Sequence, residues 1–100
     1  MSGWEWRFPP DAVHACGGVQ ASKDLAAEAA EATWELARVG ARTSCVDARA
    51  AQAAAVELMD VIHVCETVLR GLAADYGADM ERAFAAVVAK NDERGYYSAF

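Results

Sequence analysis

The stretch from Ala48 to Tyr76 reads ARAAQAAAVELMDVIHVCETVLRGLAADY, and its spacing decides the fold. Leu58, Ile62, Cys65, Leu69, Leu72 and Tyr76 recur at alternating steps of four and three, the period of a helix carrying one apolar seam. Asp47 stands where an N-cap belongs and Gly77 where a helix stops, so a helix is predicted from about Ala48 to Tyr76. Gly71 is the point in this pattern where a break or bend is expected.

Working outward, a first helix is predicted from about Ser22 to Val39. Ser22 suits an N-cap, Asp24 the first turn, and Gly40 the C-terminal glycine position. Thr43, Ser44 and Cys45 lie in the connection to the long helix. A third helix is predicted from Met80 to about Glu93, capped by Asp79, closed by Gly95, and turning Phe84, Val87 and Val88 inward. Residues 1–18 form an aromatic and proline-bearing lead-in with Trp4, Trp6, Phe8, Pro9 and Pro10; a short helix from near Asp11 would end at Gly17-Gly18. Residues 95–100 form an aromatic tail. The whole chain, 1–100, reads as one all-α domain.

Alanine makes up 24 of the 100 residues, within a hydrophobic share of 55%. Alanine favours helix and close helix approach but buries little apolar area, so larger side chains are few for a self-sufficient core. Self-association is expected. A net charge of −6 argues against a nucleic-acid partner, and no apolar run is long enough to span a membrane. The N-terminus lacks the layout of a secretory signal, and three cysteines without framework spacing suit free thiols in a cytoplasmic setting. His14 and Cys16 with Cys45 and Cys65 lack the pairing of a zinc site.

Two acidic pairs carry the chemistry. Glu28 and Glu31 on the first helix, and Glu57 and Asp60 on the second, each lie three residues apart and so share a helix face. Successive 100° turns place Glu57 inside the apolar arc of Val61, Val64, Cys65, Val68, Leu69 and Leu72, with Asp60 at its edge. His63, Glu66 and Arg70 fall on the opposite side, where solvent is expected. A bare carboxylate inside an apolar arc needs a partner or a cation. Glu28 and Glu31 belong to an acidic stripe with Asp24 and Glu35, beside Leu25, Ala32, Leu36 and Val39, and on their own would suit a solvated face. Four carboxylates meeting between two helices call for a hard cation with oxygen ligands, Mg²⁺ or Mn²⁺.

Three segments in order, Glu28-Ala-Ala-Glu31, Glu57-Leu-Met-Asp60 and Lys90-Asn91-Asp-Glu-Arg94-Gly95-Tyr96, resemble the all-α nucleoside triphosphate pyrophosphohydrolases, the MazG-like superfamily. Its pattern is a helix with E-x-x-E, a helix with E-x-x-D, and a later Lys/Asn/Arg cluster; the likeness spans roughly Gln20 to Tyr97. Two positions depart from it: Ala27 stands where many members carry a further acid, and Ala32 where a leucine often follows. The resemblance implies a helical bundle completed by oligomerisation, as a dimer or tetramer. It implies Mg²⁺ held by Glu28, Glu31, Glu57 and Asp60, with Glu31 as general base, and cleavage of NTP or dNTP to the monophosphate and pyrophosphate. Lys90, Asn91 and Arg94 would bind the triphosphate. Trp34, off its helix's apolar stripe, would stack on the base or fill a subunit interface, and Tyr97 would help to cover the pocket. Phosphoribosyl-ATP pyrophosphohydrolysis and a non-catalytic helical interaction module on the same scaffold are the alternatives.

Overall fold

Alanine sets how closely the first two helices approach. The computed structural model describes residues 3–11, 18–40 and 48–97. Three helices follow in chain order, α1 (Gly18–Gly40), α2 (Ala48–Tyr76) and α3 (Met80–Glu93), and no strand occurs among the described residues. The protein is all-α. Helices α1 and α2 pack along one another, and the buried apolar residues between and around them are Ala21, Ala32, Ala54 and Val64. Side chains this small allow the helix axes to come close, which brings the residues bordering the contact within reach of each other.

The bounds of α2 and α3 follow from local chemistry. Gly77 takes a φ of 73°, a conformation that favours glycine, and its amide and that of Ala78 fold back onto the carbonyls of Ala73 and Leu72. Asp79 then caps α3 by accepting a hydrogen bond from the Arg82 amide at 3.1 Å. Gly95, at a φ of 79°, turns the chain after α3. Helix α1 starts at Gly18, four residues before Ser22, so Ser22 lies inside the helix rather than capping it. Gly18 opens a helix instead of ending one, and Asp11 is outside any helix; the rest of the expected short helix, together with Cys16, Asp47 and residues 98–100, falls outside the described residues. Gly71 neither breaks nor ends α2: it is buried in an unbroken helix, facing a small cavity shared with Pro10 and Asp11.

Those last contacts belong to an extended strap, residues 3–11, laid across α2 and α3. Its anchor is Glu66, only 3% exposed. The Arg7 amide donates to both Glu66 carboxylate oxygens, at 3.1 and 2.9 Å, and the Phe8 amide donates to Oε1 at 2.9 Å. One turn further along α2, Arg70 Nη2 donates to the Phe8 carbonyl at 2.7 Å, and its guanidinium lies 4.2 Å over the Trp6 ring. Phe8 meets His63 edge-on, and His63 Nε2 stands 3.8 Å from Asp11. The face of α2 expected to meet solvent is therefore covered, and Glu66 is buried because main-chain donors replace its water.

Helix α3 departs from expectation in the opposite direction. Phe84, Val87 and Val88 are exposed, at 38%, 48% and 39%, because helix α3 packs only sparsely on the other helices and the segment of residues 3–11 covers that face in part. The seam of α2 is likewise half open: Leu58, Ile62 and Leu72 are exposed, and Tyr76 reaches 81%. Among the described residues no large side chain is fully buried. The radius of gyration, 16.2 Å, exceeds the ~13 Å of a close-packed chain of this length.

Because α1 and α2 close over alanine, Ala54→Leu should overpack their contact and cost roughly 1–3 kcal/mol. Urea unfolding followed by circular dichroism measures this; an unchanged or higher midpoint would mean that the helices do not close over Ala54.

Candidate metal centre

The close α1–α2 contact sets the two acidic helices against one another. Carboxylate oxygens of Glu28, Glu31 and Glu57 lie within 4.8 Å of one another. The rest of the α1 stripe is engaged along its own helix: Gln20 Nε2 donates to Asp24 at 2.8 Å, and Arg38 stands 3.5 Å from Glu35. Only the two central glutamates of that stripe join Glu57. Asp60, one turn along α2, is exposed and outside the group of converging oxygens.

Glu57 bears the strain of this arrangement. Oε2 of Glu28 and of Glu57 are both shut off from solvent, and that of Glu57 has no hydrogen-bond partner among the described residues. Burial pushes the Glu57 carboxyl above its ordinary value of 4.5, followed in effect by the charges of Glu31, Asp60 and Glu28 and by a hydrogen bond with Glu31. Asp60 thus acts on the site through its field. A divalent cation fits this donor set: the ligands are hard oxygens, they come from two rigid helices, and their charges repel without one.

Beside the carboxylates opens a cleft of about 430 Å³ lined by Ala30, Glu31, Trp34, Glu35 and Glu57. Trp34 is 68% exposed, so a flat ring stands free at the edge of the acidic group. Glu35 joins the lining, a position that its place in the acidic stripe could have suggested. No residue of α3 lines this cleft among the described residues. Lys90 and Arg94 are exposed on α3, while Asn91 Nδ2 donates to the Tyr97 hydroxyl at 3.3 Å. The structure thus brings together Glu28, Glu31, Glu57 and Trp34, and separately Asn91 and Tyr97. Tyr97 lines a second groove, along α3, with Gly3, Phe84 and Val88.

No family model, curated protein or solved structure matches this chain. The site's chemistry is therefore read from its own residues. Among the described residues no helix is long and apolar enough to cross a membrane.

A raised carboxyl in the folded state binds its proton more tightly there than in the unfolded chain. The stability Glu57 contributes is thus fully present below its unfolded value and lost as pH rises through the folded one. Without divalent cation, Glu57→Gln should raise the melting temperature at pH 7 and flatten its change between neutral and mildly acidic pH. Mg²⁺ should raise the melting temperature of the wild type and not of Glu57→Gln. Equal Mg²⁺ responses in scanning calorimetry would remove Glu57 from the metal centre.

Proposed function

We propose that the chain is a Mg²⁺-dependent nucleoside triphosphate pyrophosphohydrolase of the all-α, MazG-like kind, acting as a homo-oligomer. The observation that carries this reading is the convergence of Glu28, Glu31 and Glu57 beside a cleft edged by an exposed Trp34. Mg²⁺ or Mn²⁺, when bound, would neutralise phosphate charge and make a water molecule a better nucleophile at neutral pH. Glu28 and Glu57 would hold the cation from the two helices, and Asp60 would add negative field beside them. Glu31 accepts the proton of the attacking water as its oxygen bonds to the α-phosphorus and the bond to the bridging oxygen breaks. The products are a nucleoside monophosphate and pyrophosphate. Trp34 offers its ring to the base or sugar side of the substrate.

The triphosphate needs cations, and among the described residues none lines the cleft. Lys90 and Arg94 are the candidates, Arg94 as a fork and Lys90 as a point charge, with Asn91 and Tyr97 beside them. Since no α3 residue lines the cleft, these groups act in the cleft of a second copy. The exposed seam of α2 and the exposed face of α3 are the surfaces on which the copies would close. A non-catalytic interaction module is the second reading, favoured by the same absence of a basic lining.

The wild type with Mg²⁺ should convert at least one member of a panel of NTPs, dNTPs and phosphoribosyl-ATP to monophosphate and pyrophosphate. Glu57→Gln should lose more than the roughly 10–100-fold typical of an outer partner of a metal site. No turnover of any panel member, at enzyme concentrations high enough to reveal slow rates, would sink the enzymatic reading in favour of the module.

Subunit complementation tests the shared site. Glu57→Gln and Arg94→Ala should each be nearly inactive, whereas random mixing should restore about a quarter of wild-type activity in a symmetric dimer. Mixtures no more active than their parents would place Arg94 in the cleft of its own chain.

A further inference from the structure

Glu66 and Arg70 treat the Phe8 peptide unit as a ligand. Glu66 accepts its amide at 2.9 Å and that of Arg7, while Arg70 donates to its carbonyl at 2.7 Å. Both donor and acceptor of one residue are thus read by side chains one turn apart on α2. From this clamp the strap runs on to α3. Trp4 lines a small pocket together with Leu69 of α2 and Met80, Ala83, Phe84 and Val87 of α3, and its ring lies 6.0 Å from that of Phe84. Trp6 packs edge-on against it at 5.3 Å, and the Gly3 amide donates to Glu81 at 3.0 Å. At Gly3 a Cβ would stand 2.9 Å from the Phe84 ring, so the chain passes hard against α3. Helix α3, by contrast, buries none of its own residues.

We propose that the strap is the tether that orients α3, with Glu66, Arg70 and Trp4 as positioning residues for the basic arm of Lys90, Asn91 and Arg94. The function of that arm rests on the pyrophosphohydrolase reading; the tether itself does not. The strap joins α2 to α3 through charge-assisted main-chain hydrogen bonds at one end and the packing of Trp4 and Gly3 against Phe84 at the other. Its contacts with α2 centre on Glu66 and Arg70, more than two turns along the helix from Glu57, so loosening it frees the arm and leaves the metal centre in place.

The test is hydrogen exchange by mass spectrometry on the full chain, wild type against Arg70→Ala and Trp4→Ala, with Glu66→Gln as a third variant whose buried position risks wider unfolding. Losing an interaction of this type should speed exchange across residues 80–93 by about tenfold, with α1 and α2 unchanged. Trp4→Phe, which keeps a ring against Phe84, should restore most of the protection. Exchange in α3 that is equally fast in all chains, or that rises equally in all three helices, overturns the tether. In nucleotide assays the loosened variants should raise KM for the triphosphate several-fold while kcat and Mg²⁺ binding change little. Loosened α3 with unchanged KM overturns the positioning role while pyrophosphohydrolysis stands. A wild type that turns over no nucleotide overturns the arm's assignment, and exchange alone then decides the tether.

Discussion

The contact on which the rest depends is the alanine-lined meeting of α1 and α2. Ala21, Ala32 and Ala54 are buried on these two helices, and short side chains let two acidic faces come close enough for three carboxylates to converge. Larger residues would hold the helices apart and give each glutamate its own water. The same economy has a cost. Alanine removes little apolar area from solvent, so the contact is intimate without being strongly stabilising, and three like charges sit against it. Carboxylate repulsion and helix packing are therefore opposing sides of one balance, and a bound cation tips it toward packing.

Two glutamates of α2, nine positions apart, show how differently a buried carboxylate can be served. Glu66 is more deeply buried than Glu57 and receives three main-chain hydrogen bonds from Arg7 and Phe8. Glu57 has an enclosed oxygen without a donor and three acidic neighbours. Fixed donors satisfy the first permanently, which suits a structural anchor. Leaving the second dependent on something exchangeable suits a binding group.

The limits of what the sequence discloses follow from the same residues. Helices α2 and α3 were legible at both described ends, because Gly77 and Asp79 are chemical stops and starts that act locally. The placing of Glu57 near Glu28 and Glu31 was legible too, since helical spacing and a short connection already point the pairs toward one another. The start of α1 was not: Gly17-Gly18 reads as a terminator, and Ser22 as a cap, when each is judged by residue type alone. Glu66 was misjudged because a helical projection ranks faces by one helix's own pattern. Its cover comes from residues 58 and 59 positions earlier in the chain. The signal available was the alternation of Trp4, Trp6 and Phe8, rings at every second position, which is the pattern of an extended segment with a surface to cover. The inward face assigned to α3 failed for the converse reason, since apolar periodicity specifies a face that wants covering but not whether the same chain covers it.

The short joint at Gly77, Ala78 and Asp79 makes α3 a lever. Gly77 has a positive φ and stands in open space, and the joint is held by the turn hydrogen bonds of Gly77 and Ala78 and by the Asp79 cap. A 14-residue helix is about 21 Å long, so a rotation of about 10° at the joint displaces its far end by roughly 4 Å. Trp4 bears on Phe84, close to the pivot, whereas Lys90 and Arg94 ride near the tip. Small movements where the strap presses are thereby magnified where the charges stand.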